Sequence, residues 1–272
     1  AGAGTFTMGT STIDMTGTGE WSISDTTTEY NNVKVAASGK TTTLVSVGAG
    51  ERRPKITGLL THGGGTLNDV NSADITFSGA GTHTAGADLS GLYVTYWASS
   101  ANNPGGTYKY FITQTNHTLG GNITATGYLG VGSGYAFNTL NYDMTLARWI
   151  AYADSNITIG GSTVTFTSDH GFGSTSGQYY SGRTFSAGPG ATIKGYTGGT
   201  GRSAFVGDNN FIVVGNVENL NVIDYELSVT GQVINCTGDV IQQHPTIDHD
   251  QQLDYDTADD RDIHLGRDMD KN

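Results

Sequence analysis

Two hundred and seventy-two residues suffice for one β-rich domain or two ordinary ones, and these include 41 glycines, four prolines and one cysteine. Glycine without a three-residue period, and so little proline, exclude collagen and proline-rich linkers. Only 14% of residues are charged, against about 25% in an average domain, which argues against a mostly helical enzyme. The net charge of −12, with 13 Lys and Arg in all, excludes a phosphate-binding groove and nucleic acid as a partner.

The N-terminal Ala1-Gly2-Ala3-Gly4 has neither an initiator Met nor a signal-peptide pattern, which fits a processed or truncated piece of a longer chain. From there, apolar residues recur as i, i+2 doublets: Phe6/Met8, Ile13/Met15, Trp21/Ile23, Val33/Val35, Ile75/Phe77, Leu92/Val94, Tyr108/Tyr110, Ile157/Ile159, Val164/Phe166 and Leu227/Val229. This alternation predicts short strands with one buried face. Gly-, Asn- and Ser-rich turns such as Thr16–Gly19 and Ser78–Gly81 punctuate them. Met144–Asp154 reads equally well as a strand or as one short helix with Leu146, Trp149 and Ile150 on one face. No apolar run approaches the roughly 18 residues of a membrane span.

A loose repeat aligns Thr12–Gly19 with Asp74–Gly81, and Asn31–Val35 with Ser90–Val94, about 60 residues apart, with a weaker copy from Thr163. Such a separation corresponds to two or three coils of a solenoid or to one layer with decorated loops. The predicted fold is therefore all-β, a parallel β-solenoid with long Gly-rich loops over residues 1–244; a β-sandwich or jelly roll is the alternative. Gly171–Gly201 reads as one large glycine-rich loop and interaction surface. The composition changes at Pro245: residues 245–272 hold nine Asp and three basic residues, a balance of −6 that is half of the net charge of −12, and read as an acidic C-terminal arm lying on a partner.

Gly4-Thr5-Phe6-Thr7-Met8-Gly9 through Gly19-Glu20-Trp21, followed by Tyr30-Asn31-Asn32-Val33-Lys34-Val35, resembles the Thr/Gly-rich coils of right-handed parallel β-helix proteins found on phage virions and bacterial surfaces. The resemblance spans residues 4–240 and rests on no invariant motif. It implies a virion or extracellular setting, a homotrimer in contact with other virion proteins, and a tail, fibre or head-decoration role in assembly, stabilisation or attachment to a host-surface glycan. Some proteins of this kind cleave polysaccharide with groove carboxylates, and others are bacterial adhesins; these are the alternative functions.

For chemistry, a glycoside-cleaving pair needs two carboxylates about 5–10 Å apart. Asp169, Glu218, Asp224 and Glu226 lie on or beside predicted strands, and of these only Glu218 and Asp224, flanking one strand, are near enough to be read together, but an extended strand holds them about 20 Å apart. Asp169-His170 beside Ser168 lacks the strand–turn–helix setting of a nucleophile elbow. No catalytic residue and no obligatory cofactor is therefore expected. Asp254, Asp256, Asp259 and Asp260 are spaced to surround Ca²⁺, although without the glycine and terminal glutamate of an EF-hand, while His244, His249 and Asp250 are a thinner set of metal ligands. Cys236 reads as a small buried hydrophobe. Tyr93, Tyr96, Trp97, Tyr179 and Tyr180 are the residues expected to serve surface recognition, because rings with polar tips stack on sugars or fill interfaces at small entropic cost.

Overall fold

The computed structural model describes residues 9–23, 28–47, 53–152 and 155–172, and beyond them the backbone of eight short strands between residues 184 and 263. Every described element is a strand or turn, and the strands stack in parallel as a β-solenoid. The sandwich alternative is excluded by the pairing direction, because a sandwich is built from antiparallel neighbours. The chain divides into two compact units, Ala1–Gly127 and Tyr128–Asn272.

In the first unit each coil contributes successive strands to three ladders. The first coil supplies β1 (Thr12–Met15), β2 (Gly19–Ile23) and β3 (Glu29–Tyr30); the second supplies β4 (Asn32–Val35), β5 (Thr41–Ser46) and β6 (Lys55–Ile56). The third supplies β7 (Leu59–His62), β8 (Thr66–Val70) and β9 (Ile75–Gly79). β10 (Thr82–His83) continues the β1-β4-β7 ladder. The next two sides then fuse into the 13-residue β11 (Ala87–Ser99), whose neighbour is β12 (Gly106–Thr113). A register shift between Leu89 and Val94 marks the bend that lets one strand cover both sides.

The second unit repeats this construction. Ala136–Asn138, Asn156–Gly160 and Thr184–Ala187 form one parallel ladder. Met144–Ala151, Thr163–Phe172, Thr192–Lys194, Gly215–Val217 and Ile234–Cys236 form another. The ambiguous segment at Met144 is thus a strand: Met144, Leu146 and Trp149 point inward, with the alternation shifted once between Leu146 and Arg148. Two strands, Thr184–Ala187 and Thr192–Lys194, fall inside the Gly171–Gly201 stretch read as a loop. Of the acidic arm, Asp262–Ile263 is described, and it pairs antiparallel with Ile234–Cys236 of the same chain.

The coil length agrees with the reading of two or three coils in about 60 residues. Thr12 pairs with Asn32 and Ile75 with Thr95, each 20 positions on, whereas Val33 pairs with Leu60, 27 positions on. The 60-residue match spans nearly three coils, and it aligns β1 with β9, which belong to different ladders. It records a shared strand-and-turn grammar, not equivalent positions.

Side chains inside the coils stack on their counterparts above and below. Val33 and Leu60 are registered neighbours at 0% exposure, as are Phe77 and Trp97. Close approach between coils also fixes glycines: a Cβ at Gly91, in the bend of β11, would collide with the Leu67 carbonyl of β8. Gly91→Ala should therefore force the bend outward and destabilise the fold by about 1–3 kcal/mol, read as a lowered midpoint in thermal unfolding followed by far-UV circular dichroism. A midpoint equal to that of the natural sequence would contradict the close contact.

Candidate functional surface and the buried polar core

The bend in β11 decides which aromatic rings reach solvent. Tyr93 lies between buried Leu92 and Val94 and is 39% exposed, on the outward side that alternation predicts. After the shift, Val94 and Thr95 are both buried, so Tyr96 turns outward and Trp97 turns in. Trp97 is fully buried, and its indole N–H donates to the Ala101 carbonyl at 3.1 Å. This corrects its reading as a surface recognition residue: the doubled inward step at the bulge, invisible in a strict two-residue period, places Trp97 in the core.

Tyr93 meets Tyr110 of β12 edge to face, with ring centroids 5.3 Å apart and planes at 81°. The Lys109 ammonium lies over both rings, 5.1 Å from the Tyr93 centroid and 5.8 Å from that of Tyr110. The Tyr110 ring occupies the space where a Cβ of residue 127 would stand, so Gly127 provides its seat. In the second unit, the Arg148 guanidinium similarly lies 5.5 Å from the Tyr128 centroid.

Tyr96 carries the Arg53 guanidinium 4.0 Å from its centroid. The same Arg53 donates from Nε to Asp74 Oδ2 at 3.1 Å, and Asp74 Oδ1 accepts the Val94 N–H at 3.1 Å. Asp74 is thereby a clamp: at 2% exposure it holds the bulge of β11 with one oxygen and orients Arg53 with the other. Burial pushes its carboxyl up to about 6, against the opposing pull of Arg53.

Inside the first unit lies a polar–aromatic cluster. His83 ring atoms face the Thr84 carbonyl at 2.8 Å through Nδ1 and the Tyr108 hydroxyl at 2.6 Å through Nε2. Tyr108 in turn reaches Asn103 Oδ1 at 3.0 Å, which also accepts the Gly105 N–H at 2.8 Å. A carbonyl can only accept, so Nδ1 bears the hydrogen and the neutral ring offers a lone pair at Nε2. Neutral His83 and Tyr108 then have two hydrogens for three contacts, and the Tyr108 O–H serves either His83 or Asn103. Phe77, Trp97, Phe111 and His117 enclose the chain in tilted and T-shaped contacts with centroids 4.7–6.2 Å apart.

Of the remaining residues singled out from sequence, Tyr179 and Tyr180 lie outside the described residues, as do Glu218, Asp224 and Glu226. The four tail aspartates Asp254, Asp256, Asp259 and Asp260, together with His244, His249 and Asp250, lie outside them too. Asp169 is described only as backbone in Thr163–Phe172. Among the described residues, no group of three or more His, Cys, Asp or Glu side chains is placed to hold a metal ion, and no helix is long and apolar enough to cross a membrane. No family model, curated protein or solved structure matches this chain.

Sequence reading missed Asp74, Arg53, Asn103, His83 and His117. Thr82-His83-Thr84 and Asn116-His117-Thr118 have polar neighbours on both sides, so nothing local marks these histidines as core residues. Burial lowers His83 to about 4 and His117 to about 3. Above pH 6.5 both are neutral whether folded or unfolded. As pH falls through 6.5 toward 4, the unfolded chain takes up protons that the folded one refuses, and stability is lost. Asp74 acts oppositely, since its raised value favours the folded state as pH falls from about 6 to 3.8. The two histidines outweigh it, each worth about 2 kcal/mol at pH 5. Urea unfolding at pH 7 and pH 5 should show a net loss at pH 5, reduced in His117→Phe relative to that variant's own pH 7 value. Equal stability at both pH values would refute neutral burial. Tyr108→Phe should cost about 1–3 kcal/mol at pH 7 by stranding its polar partners, checked by the same unfolding curves.

Proposed function

We propose that this chain is a non-enzymatic structural component of a virus particle: a tail, fibre or head-decoration protein that serves assembly, stabilisation or host-surface attachment. The observation that carries this reading is the ladder construction. Parallel coils held in register by backbone hydrogen bonds make a stiff body, and its outward side chains are free to vary because the ladder itself does not involve them. Outward aromatic–cation groups at Tyr93, Lys109 and Tyr110 and at Tyr96 and Arg53 give that body contact points. A low content of charged residues and Thr- and Gly-rich outer positions suit a surface that makes its contacts by shape and polar side chains. In this reading the chain is one copy of a homotrimer in contact with neighbouring virion proteins.

Immunogold labelling should place the protein on particles purified from the culture that expresses its gene, and mass photometry of the isolated chain should give a trimer. Incubation with polysaccharide from the host surface should release no new reducing ends or unsaturated sugars. Gold confined to the cell wall would replace the reading with a bacterial adhesin, and released sugars would replace it with a polysaccharide-cleaving enzyme.

A further inference from the structure

We infer that the outward face formed by Tyr93, Lys109 and Tyr110 is a binding platform for a carboxylate-bearing polysaccharide, a polymer of uronic acid sugars. The inference rests on the host-attachment reading above and names the site and the ligand class within it. Three features lead there. The first is a pair of phenol rings nearly perpendicular to one another, Tyr93 being 39% exposed. Such a corner offers aromatic surface to the C–H side of a pyranose, with the Tyr93 ring the more exposed of the two.

The second feature is Lys109. Its ammonium sits over both rings, and among the described residues no carboxylate is paired with it. A neutral sugar would need the rings alone; a cation centred between them matches a sugar that carries a carboxylate beside its apolar face. The third is support. Tyr110 is seated on Gly127, and both residues that carry the rings belong to strands locked in the parallel ladder, so the corner is formed before a ligand arrives.

Affinity electrophoresis of the full chain through gels containing polygalacturonate, alginate or hyaluronate tests this, with neutral dextran as the comparison. Retardation is expected in at least one of the three polyuronates and not in dextran. Tyr93→Ala and Lys109→Gln should each weaken it about three- to tenfold, while Tyr93→Phe and Lys109→Arg keep most of it. Lys34→Gln removes an equal charge from β4, in a different ladder, and should leave retardation unchanged. Thermal unfolding of each variant separates lost binding from lost fold, since Tyr93 and Lys109 are outward residues. No retardation by any of the three polymers, equal retardation by dextran, or an equal loss in Lys34→Gln would overturn the proposal. Because the readout uses the isolated chain, it stands or falls separately from where the protein sits on a particle.

Discussion

The constraint on which the rest depends is the parallel register between successive coils. Each strand can satisfy its N–H and C=O groups only through the coils before and after it, so an inward residue must stack on an inward residue at every level. Val33 under Leu60 and Phe77 beside Trp97 follow from that rule. So does the tolerance for coils of unequal length, since a turn can lengthen wherever the next strand still returns to its place in the ladder. The 20 and 27 positions that separate registered partners in neighbouring coils show this directly.

Where one strand must cover two sides, the rule needs a local exception. β11 supplies it with a shifted register, and the exception is costly: a buried carboxylate, Asp74, has to hold the Val94 amide. The same carboxylate orients Arg53, and Arg53 covers Tyr96. A device that shapes the backbone thus also arranges part of the outward surface. The bend separates ring roles as well, leaving Tyr93 and Tyr96 outside while Trp97 joins Phe77, Phe111 and His117 inside.

The interior departs from a purely aliphatic column for a physical reason. An aromatic layer of Trp97, Tyr108, Phe111 and Phe77 leaves a polar tip at Tyr108 that must be met, and His83 and Asn103 meet it. The resulting cluster links core packing to pH, because a neutral imidazole sealed among rings resists protonation while the same residue in the unfolded chain does not. Acid sensitivity here is a property of the packing and needs no regulatory site.

The two-residue alternation of Ile75/Phe77, Leu92/Val94, Ile157/Ile159 and Val164/Phe166, with glycine-rich turns between, determined an all-β chain and which side of these four segments is buried, because a strand's faces are set by local geometry; the Tyr108/Tyr110 doublet is split, with Tyr108 inside and Tyr110 outside. The outward position of Tyr93 was legible for the same reason. The inward turn of Trp97, the burial of His83 and His117, the clamp at Asp74 and the pairing of Tyr93 with Tyr110 were decided only by the tertiary structure. Each depends on which residue of another coil lies alongside, and in a parallel stack with coils of unequal length that partner is about 16–27 positions away at a distance no local pattern encodes.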